Sequence, residues 1–185
     1  MKTIIVHASK ALLASPNRGL LSRSISASLL LSHSVRSDVK LEVFINDVRI
    51  SFVSQKMRNI RPDEQSLLGV INKAVRIAGS KPRKVFEGVY VRHEDIASFA
   101  ASIKHGDKLF YDDLEGSLLN IHEVRTPFSI VFTLSEPIKL RDLLSKQGFK
   151  RVKLGSSKLH VDQVIAVLNI LLDRGEQLWR YWKKL

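Results

Sequence analysis

Arg151-Val152-Lys153-Leu154-Gly155-Ser156-Ser157-Lys158-Leu159-His160-Val161-Asp162 is the stretch from which the fold is read. Arg151–Leu154 has the length and composition of a short strand, Gly155 interrupts it, and apolar residues at helical spacing run from Val161 to Leu178. The unit is a strand, a glycine-opened loop and a helix. A glycine directly after a strand either makes a plain turn or lets the backbone come close to a ligand.

The same succession recurs upstream. Further strand candidates are Thr3–His7, Val39–Ile45, Val48–Val53, Gly88–Val91, Lys108–Tyr111 and Phe128–Leu134. Helix candidates are Leu20–Val35, Glu64–Ala78, Glu94–Lys104, Lys139–Gln147 and the segment after Val161. Strands alternating with helices predict an α/β domain with a mainly parallel sheet. The punctuation agrees: Asn46-Asp47 separates two β-branched runs as a tight hairpin would, and Asp63 after Arg61-Pro62 can cap a helix. Gly79 and Pro82, His105-Gly106, and Gly148 close successive helices. With 185 residues, no repeat and no Pro/Gly-rich linker, a single domain over 1–185 is expected.

Charge narrows the class of partner. Thirty Lys+Arg against eighteen Asp+Glu give +12, which favours a polyanion. The excess is uneven. Gln65–Phe86 holds no acid but has Lys73, Arg76, Lys81, Arg83 and Lys84, and Lys139–Lys153 has Asp142 as its one acid. The acids gather between Glu87 and Glu123. This pattern suggests an RNA-facing basic surface, with solvated helix faces as the plainer reading of any single run.

The absence of cysteine removes disulfide scaffolds, zinc fingers and thiol catalysis, and suits a reducing cytoplasm. No metal is expected. The longest apolar stretch, Ile25–Val35, is broken by serines and His33, so no membrane span is expected. Residues 1–37 carry Lys2, Lys10, Arg18, Arg23 and Arg36, many serines and no acid, as transit peptides do. The strand-like Lys2–His7 and the broad apolar face of Leu20–Leu31 argue instead for a folded N-terminus.

Five short segments, in order and in register, carry a resemblance. They are Leu29–Val39, Arg61-Pro62-Asp63-Glu64-Gln65-Ser66, Phe86–Val91, Leu114-Glu115-Gly116 and Leu154–Asp162, the last leading to Leu172-Asp173-Arg174. Together they resemble the archaeal TrmY family of tRNA (pseudouridine-N1)-methyltransferases, of the SPOUT superfamily. The resemblance implies a trefoil-knotted α/β fold, with the C-terminal third threading the knot and two chains pairing as a homodimer. It implies S-adenosylmethionine as cosubstrate and N1 of pseudouridine 54, in the T loop of tRNA, as the methyl acceptor. The methyl of a sulfonium is already activated, so the protein's work is alignment and exclusion of water.

Residue by residue, the resemblance implies a cofactor site in three loops: Leu114 in the first, Ser135 in the second, and Leu154, Gly155, Ser156, Ser157, Lys158 and Leu159 in the third. Val164 stands behind them. Leu154, Leu159 and Val164 would line the adenine pocket or pack the core. Arg23 matches an RNA-facing arginine, and Arg18 matches another after a one-residue slip. Four positions depart from the family pattern. Ser135 replaces a glycine, Ser156 a proline and Val164 a cysteine, while Gly19 stands where the family has an aspartate able to accept the imide proton. No catalytic base is assigned by sequence. Two alternative readings stay open: a weakly active or inactive RNA-binding relative, and an enzyme acting on ribosomal RNA.

His33 and His160 read as packed or capping residues, with a His160–Asp162 hydrogen bond as the alternative. Arg36 and Asp38 read as an ion pair at a helix end. The Trp179–Lys184 tail mixes aromatics and cations, suited to a dimer interface or to stacking on bases.

Overall fold

The computed structural model describes residues 1–31, 34–57, 60–135, 138–155 and 158–174. Its strands are β1 (Lys2–Ala8), β2 (Val39–Ile45), β3 (Val48–Val53), β4 (Arg83–Phe86), β5 (Val89–His93), β6 (Asp107–Tyr111), β7 (Ser117–Leu118), β8 (Phe128–Thr133) and β9 (Lys150–Lys153). Its helices are α1 (Lys10–Leu13), α2 (Gly19–Leu29), α3 (Glu64–Ile77), α4 (Ile96–Ser102), α5 (Ile138–Lys146) and α6 (Val161–Arg174).

All nine strands form one sheet in the order β4-β5-β3-β2-β1-β8-β6-β9-β7. Five of its eight pairings are parallel, so the sheet is mainly parallel as the alternation predicts. The antiparallel half is the meander β2-β3-β5-β4, turned at Asn46, whose φ of 54° is the left-handed value a tight hairpin requires. β1 lies at the centre of the sheet, so the N-terminus is folded core.

Alternation along β1 sends Ile4 and Val6 to one face and Ile5 to the other. On the first face lie Leu21, Ile25 and Leu29 of α2, Leu67 and Ile71 of α3, and Ile165 and Leu168 of α6. On the second lie Ile96 and Phe99 of α4 and Leu140 and Leu144 of α5. The result is a helix–sheet–helix sandwich.

Several elements differ from expectation for identifiable reasons. α2 stops at Leu29 rather than Val35, with Leu30 already extended at φ −101°, ψ 142°. Ser24 and Ser28 turn their hydroxyls back onto the carbonyls of Leu20 and Ser24, which weakens this helix from within. Asp63 caps α3 as expected, its carboxylate accepting the Ser66 N–H at 2.8 Å. β4 has no apolar alternation to announce it, since it is an edge strand whose Arg83, Lys84 and Phe86 are exposed. Arg36 and Asp38 do not pair with each other. Arg36 binds Asp173 of α6 at 2.7 Å, and Asp38 binds Lys2 at 2.8 Å, so both fasten the chain across the first face.

One buried charge network contributes to acid stability. Glu42, with its side chain fully buried, accepts from Arg49 at 2.8 Å through both oxygens and from Ser51 at 2.6 Å. Burial pushes its carboxyl up, but the bonds and charge of Arg49 prevail and hold it below the ordinary carboxylate range. The depressed value means stability that is present above the unfolded-state carboxylate range and lost as the pH falls through the folded value. Acid unfolding of Glu42→Gln should therefore depend less steeply on pH below about 4 than that of the parent. Parallel slopes in denaturant melts from pH 5 to pH 2 would refute this.

Candidate functional site

β1, β8, β6 and β9 run parallel, so their carboxyl ends share one edge of the sheet. Ligands of open α/β sheets bind at that edge, where the chain leaves the strands in loops. The three loops singled out in the sequence all start there: 112–116 after β6, Leu134-Ser135 after β8, and Leu154–His160 after β9.

The first loop is built around Asp112, whose side chain is wholly buried. Its Oδ1 accepts the N–H groups of Leu114 at 3.1 Å and Glu115 at 3.2 Å, which sets the turn. Arg141 of α5 donates to the same oxygen through Nη2 at 3.1 Å. Asp112 Oδ2 and Arg141 Nε are buried without a hydrogen-bond partner. Beyond the turn the chain steps across β9: Asp112 N–H binds the Val152 carbonyl at 2.8 Å, Leu119 N–H binds that of Lys153 at 2.9 Å, and β7 pairs with the far edge of β9. The crossing is tight. A Cβ on Gly116 would collide with the Asp112 backbone carbonyl oxygen and lie 2.6 Å from the Val152 carbonyl carbon. Leu114 is left open at the turn, 71 % exposed. Tyr111 at the end of β6 is pushed up to about 12 by burial and by the nearby charges of Asp113 and Asp112, so its phenol keeps its proton at neutral pH.

The second loop is tied to β1. Ser135 Oγ accepts the Ser9 N–H at 2.6 Å, and the Leu134 N–H binds the His7 carbonyl at 2.8 Å. Thr133 Oγ1 lies 3.2 Å from His7 Nδ1 and also meets the backbone of Ser135. Burial holds the His7 imidazole below its ordinary range. Ser135 thus has a structural task, holding the start of the segment that follows β1.

In the third loop Gly155 takes φ +64°, the left-handed region that favours glycine. Leu154 and Val164 are 2 % and 0 % exposed and belong to the core, so they support the loop from behind. Leu159 is half-buried against the same core, and Lys158 is exposed. Ser156 and Ser157 lie outside the described residues, as do His33 and the Trp179–Lys184 tail. His160 and Asp162 do not pair. The His160 N–H binds Gln163 Oε1 at 2.9 Å, and Asp162 binds Arg23.

That last pair brings the RNA candidates to the same edge. Arg23 on α2 donates from Nε to Asp162 Oδ2 at 3.0 Å, beside the third loop, with its own side chain 57 % exposed. Arg18 is exposed and ends the 3-10 turn Pro16–Arg18, which Ser15 caps. Between them lies Gly19, the first residue of α2. A cleft of about 510 Å³ opens beside it, lined by Leu13, Arg18, Glu64, Gln65, Leu68, Gly69 and Asn72. Asp112, Arg141 and Glu64 were not reached as site residues by sequence reasoning. An acid directly after the Lys108–Tyr111 strand is the local signal that could have found Asp112.

Comparison with known proteins gives a consistent result. Residues 14–177 match the family described as "Putative SAM-dependent RNA methyltransferase". The tRNA (pseudouridine(54)-N(1))-methyltransferase of Methanocella arvoryzae is 31% identical over 166 residues, covering 84% of each chain. The protein of the same name from Methanococcus vannielii is 25% identical over 197 residues, covering 94% of this chain and 99% of its own. Among solved structures, Archaeoglobus fulgidus Nep1 bound to S-adenosylhomocysteine superposes with a TM-score of 0.64 at 13% identity, covering 94% of this chain and 97% of that one, a likeness of fold.

Proposed function

This chain belongs to the family of SAM-dependent RNA methyltransferases, and from that premise we propose that it methylates N1 of pseudouridine 54 in tRNA. The observation that carries the reading is the convergence of three loops at the carboxyl edge, the first held by buried Asp112 and the third opened by Gly155. This edge fits the cosubstrate. It offers open apolar Leu114, a left-handed glycine whose backbone a ligand can approach, and a buried Asp112 oxygen in want of a donor. When bound there, S-adenosylmethionine supplies an activated methyl group.

The chain's own residues do the rest. Asp112 and Arg141 fix the turn that carries Leu114, Ser135 anchors the segment after β1, and Leu154 and Val164 back the third loop. Such work is positioning, which removes much of the barrier when donor and acceptor are held in line. The binding residues in this reading are Leu114, Ser135, Gly155, Ser156, Ser157, Lys158 and Leu159, with Leu154 and Val164 behind, and no metal takes part. Crossing of the chain over β9 at Gly116 supports a knotted C-terminal third. A homodimer would cover Leu114, Ile170 of α6 and Leu31 after α2, all exposed apolar side chains. Among the described residues no helix is long and apolar enough to cross a membrane. A tRNA substrate places the enzyme in the cytoplasm in this reading.

Arg18 and Arg23 face the RNA, whose target nucleotide must be turned out of its loop. With about five phosphates neutralised, log K for tRNA should fall with log salt at a slope of roughly −3.5 to −4.5. Arg23→Ala should weaken tRNA binding and leave S-adenosylmethionine binding intact. Filter binding across a salt series measures both, and a flat salt response would refute an RNA-facing surface. The reading itself is tested by methyl transfer to two RNAs, a tRNA carrying pseudouridine 54 and small-subunit ribosomal RNA. Transfer to the first is expected; transfer to the second alone would move the substrate to the ribosome.

A further inference from the structure

The chain lacks a side chain at position 19, yet the space that such a side chain would fill is occupied. A Cβ built on Gly19 would meet Glu64 Oε2 at 2.5 Å, with Glu64 Cδ and Oε1 both at 2.9 Å. The carboxylate of Glu64, the first residue of α3, therefore rests on the bare Cα of Gly19. Among the described residues it has no hydrogen-bond or ion-pair partner, whereas Asp112, Glu115 and Asp162 near the same edge are all engaged by arginines. Arg18 and the amide side chains of Gln65 and Asn72 line the same cleft, whose volume of about 510 Å³ is in the range of small-molecule sites.

The cleft is also tied to the cofactor edge from both sides. Ser9, at the start of the segment leading to Arg18, is bonded to Ser135 of the second loop at 2.6 Å. Arg23, one turn along α2 from Gly19 and so on the same helix face, is bonded to Asp162 beside the third loop. An unpaired carboxylate, a cation and two amides in one cleft suit a nucleobase that must give up an imide proton.

The geometry points to Glu64 as the group that accepts the N1 proton of the target nucleotide, supplied in space where position 19 supplies nothing. This rests on the methyl-transfer reading. In the step, N1 forms its bond to the methyl carbon as the carbon–sulfur bond breaks, that electron pair going to sulfur, and the N1 proton passes to a Glu64 oxygen. Arg18 holds the adjoining phosphate.

The test is a swap of the carboxylate between the two positions. Gly19 has φ −60° and ψ −24°, helical values open to any residue, so Gly19→Asp is free of backbone strain. Glu64→Gln should lower single-turnover methyl transfer by about 100-fold or more, the contribution of a positioned base, with S-adenosylmethionine and tRNA affinities within about twofold of the parent. Gly19→Asp alone should also be impaired, since its carboxylate would displace the Glu64 carboxylate from its place and repel it. The double variant Gly19→Asp, Glu64→Ala should recover at least about tenfold over Glu64→Gln, a gain that a merely structural Glu64 would not give. If Glu64→Gln transfers methyl like the parent, Glu64 is idle and the assignment fails while the methyl-transfer reading stands. If the double variant stays as low as Glu64→Gln, position 19 is not an equivalent source of the carboxylate and the assignment likewise fails. If the parent methylates no pseudouridine in either RNA, the functional reading falls and this assignment with it.

Discussion

Gly155→Leu should abolish binding of S-adenosylmethionine and of S-adenosylhomocysteine in calorimetry while leaving a folded protein. Two effects add. A residue with a Cβ at φ +64° is strained by about 1–2 kcal/mol, and the side chain would occupy the space through which a ligand approaches the third loop. The strain is present with or without ligand and so falls on folding stability, whereas the bulk is steric and falls on binding. Gly155→Ala separates them, because it brings the strain with little bulk and should lower the denaturant midpoint by the equivalent of about 1–2 kcal/mol while keeping most of the affinity. Unchanged affinity in Gly155→Leu would remove the third loop from the cofactor site.

Asp112→Ala should be the most damaging substitution at the site for both stability and binding. It leaves the Leu114 and Glu115 N–H groups and the largely buried Arg141 guanidinium without their shared acceptor. Breaking a buried pair from one side costs about 3–5 kcal/mol, so the denaturant midpoint should fall sharply. Asp112→Asn keeps an acceptor for the two N–H groups and loses only the charge, so it should lie between Asp112→Ala and the parent. Cofactor affinity should follow the same order, because the turn carries Leu114. Equal stability of all three would mean that the turn holds its shape without the carboxylate.

The sandwich was largely legible in the sequence, because its information is local. β2 and β3 are bounded where Val39–Ile45 and Val48–Val53 predict, and Asp63 caps α3 as its place after a proline suggests. Edge strands were not legible. β4 carries arginine and lysine where a strand buried on one face would carry valine, and β7 is too short for any period. The loops of the site were reached through a family resemblance, but what holds them was not. Asp112 meets Arg141 across 29 positions, Ser9 meets Ser135 across 126 and Arg23 meets Asp162 across 139. Pairings of that range leave no periodicity. The same reason misassigned Arg36 and Asp38 to each other, since nearness in sequence stood in for nearness in space.

The central claim is methyl transfer to one atom of one nucleoside. Its most direct test is nucleoside mass spectrometry, with fragment mapping, of a tRNA bearing pseudouridine 54 after incubation with this protein and S-adenosylmethionine. The account predicts N1-methylpseudouridine at position 54, formed in proportion to S-adenosylhomocysteine and absent when uridine stands at that position. An unmodified tRNA, recovered from a protein that binds both S-adenosylmethionine and tRNA, would contradict it.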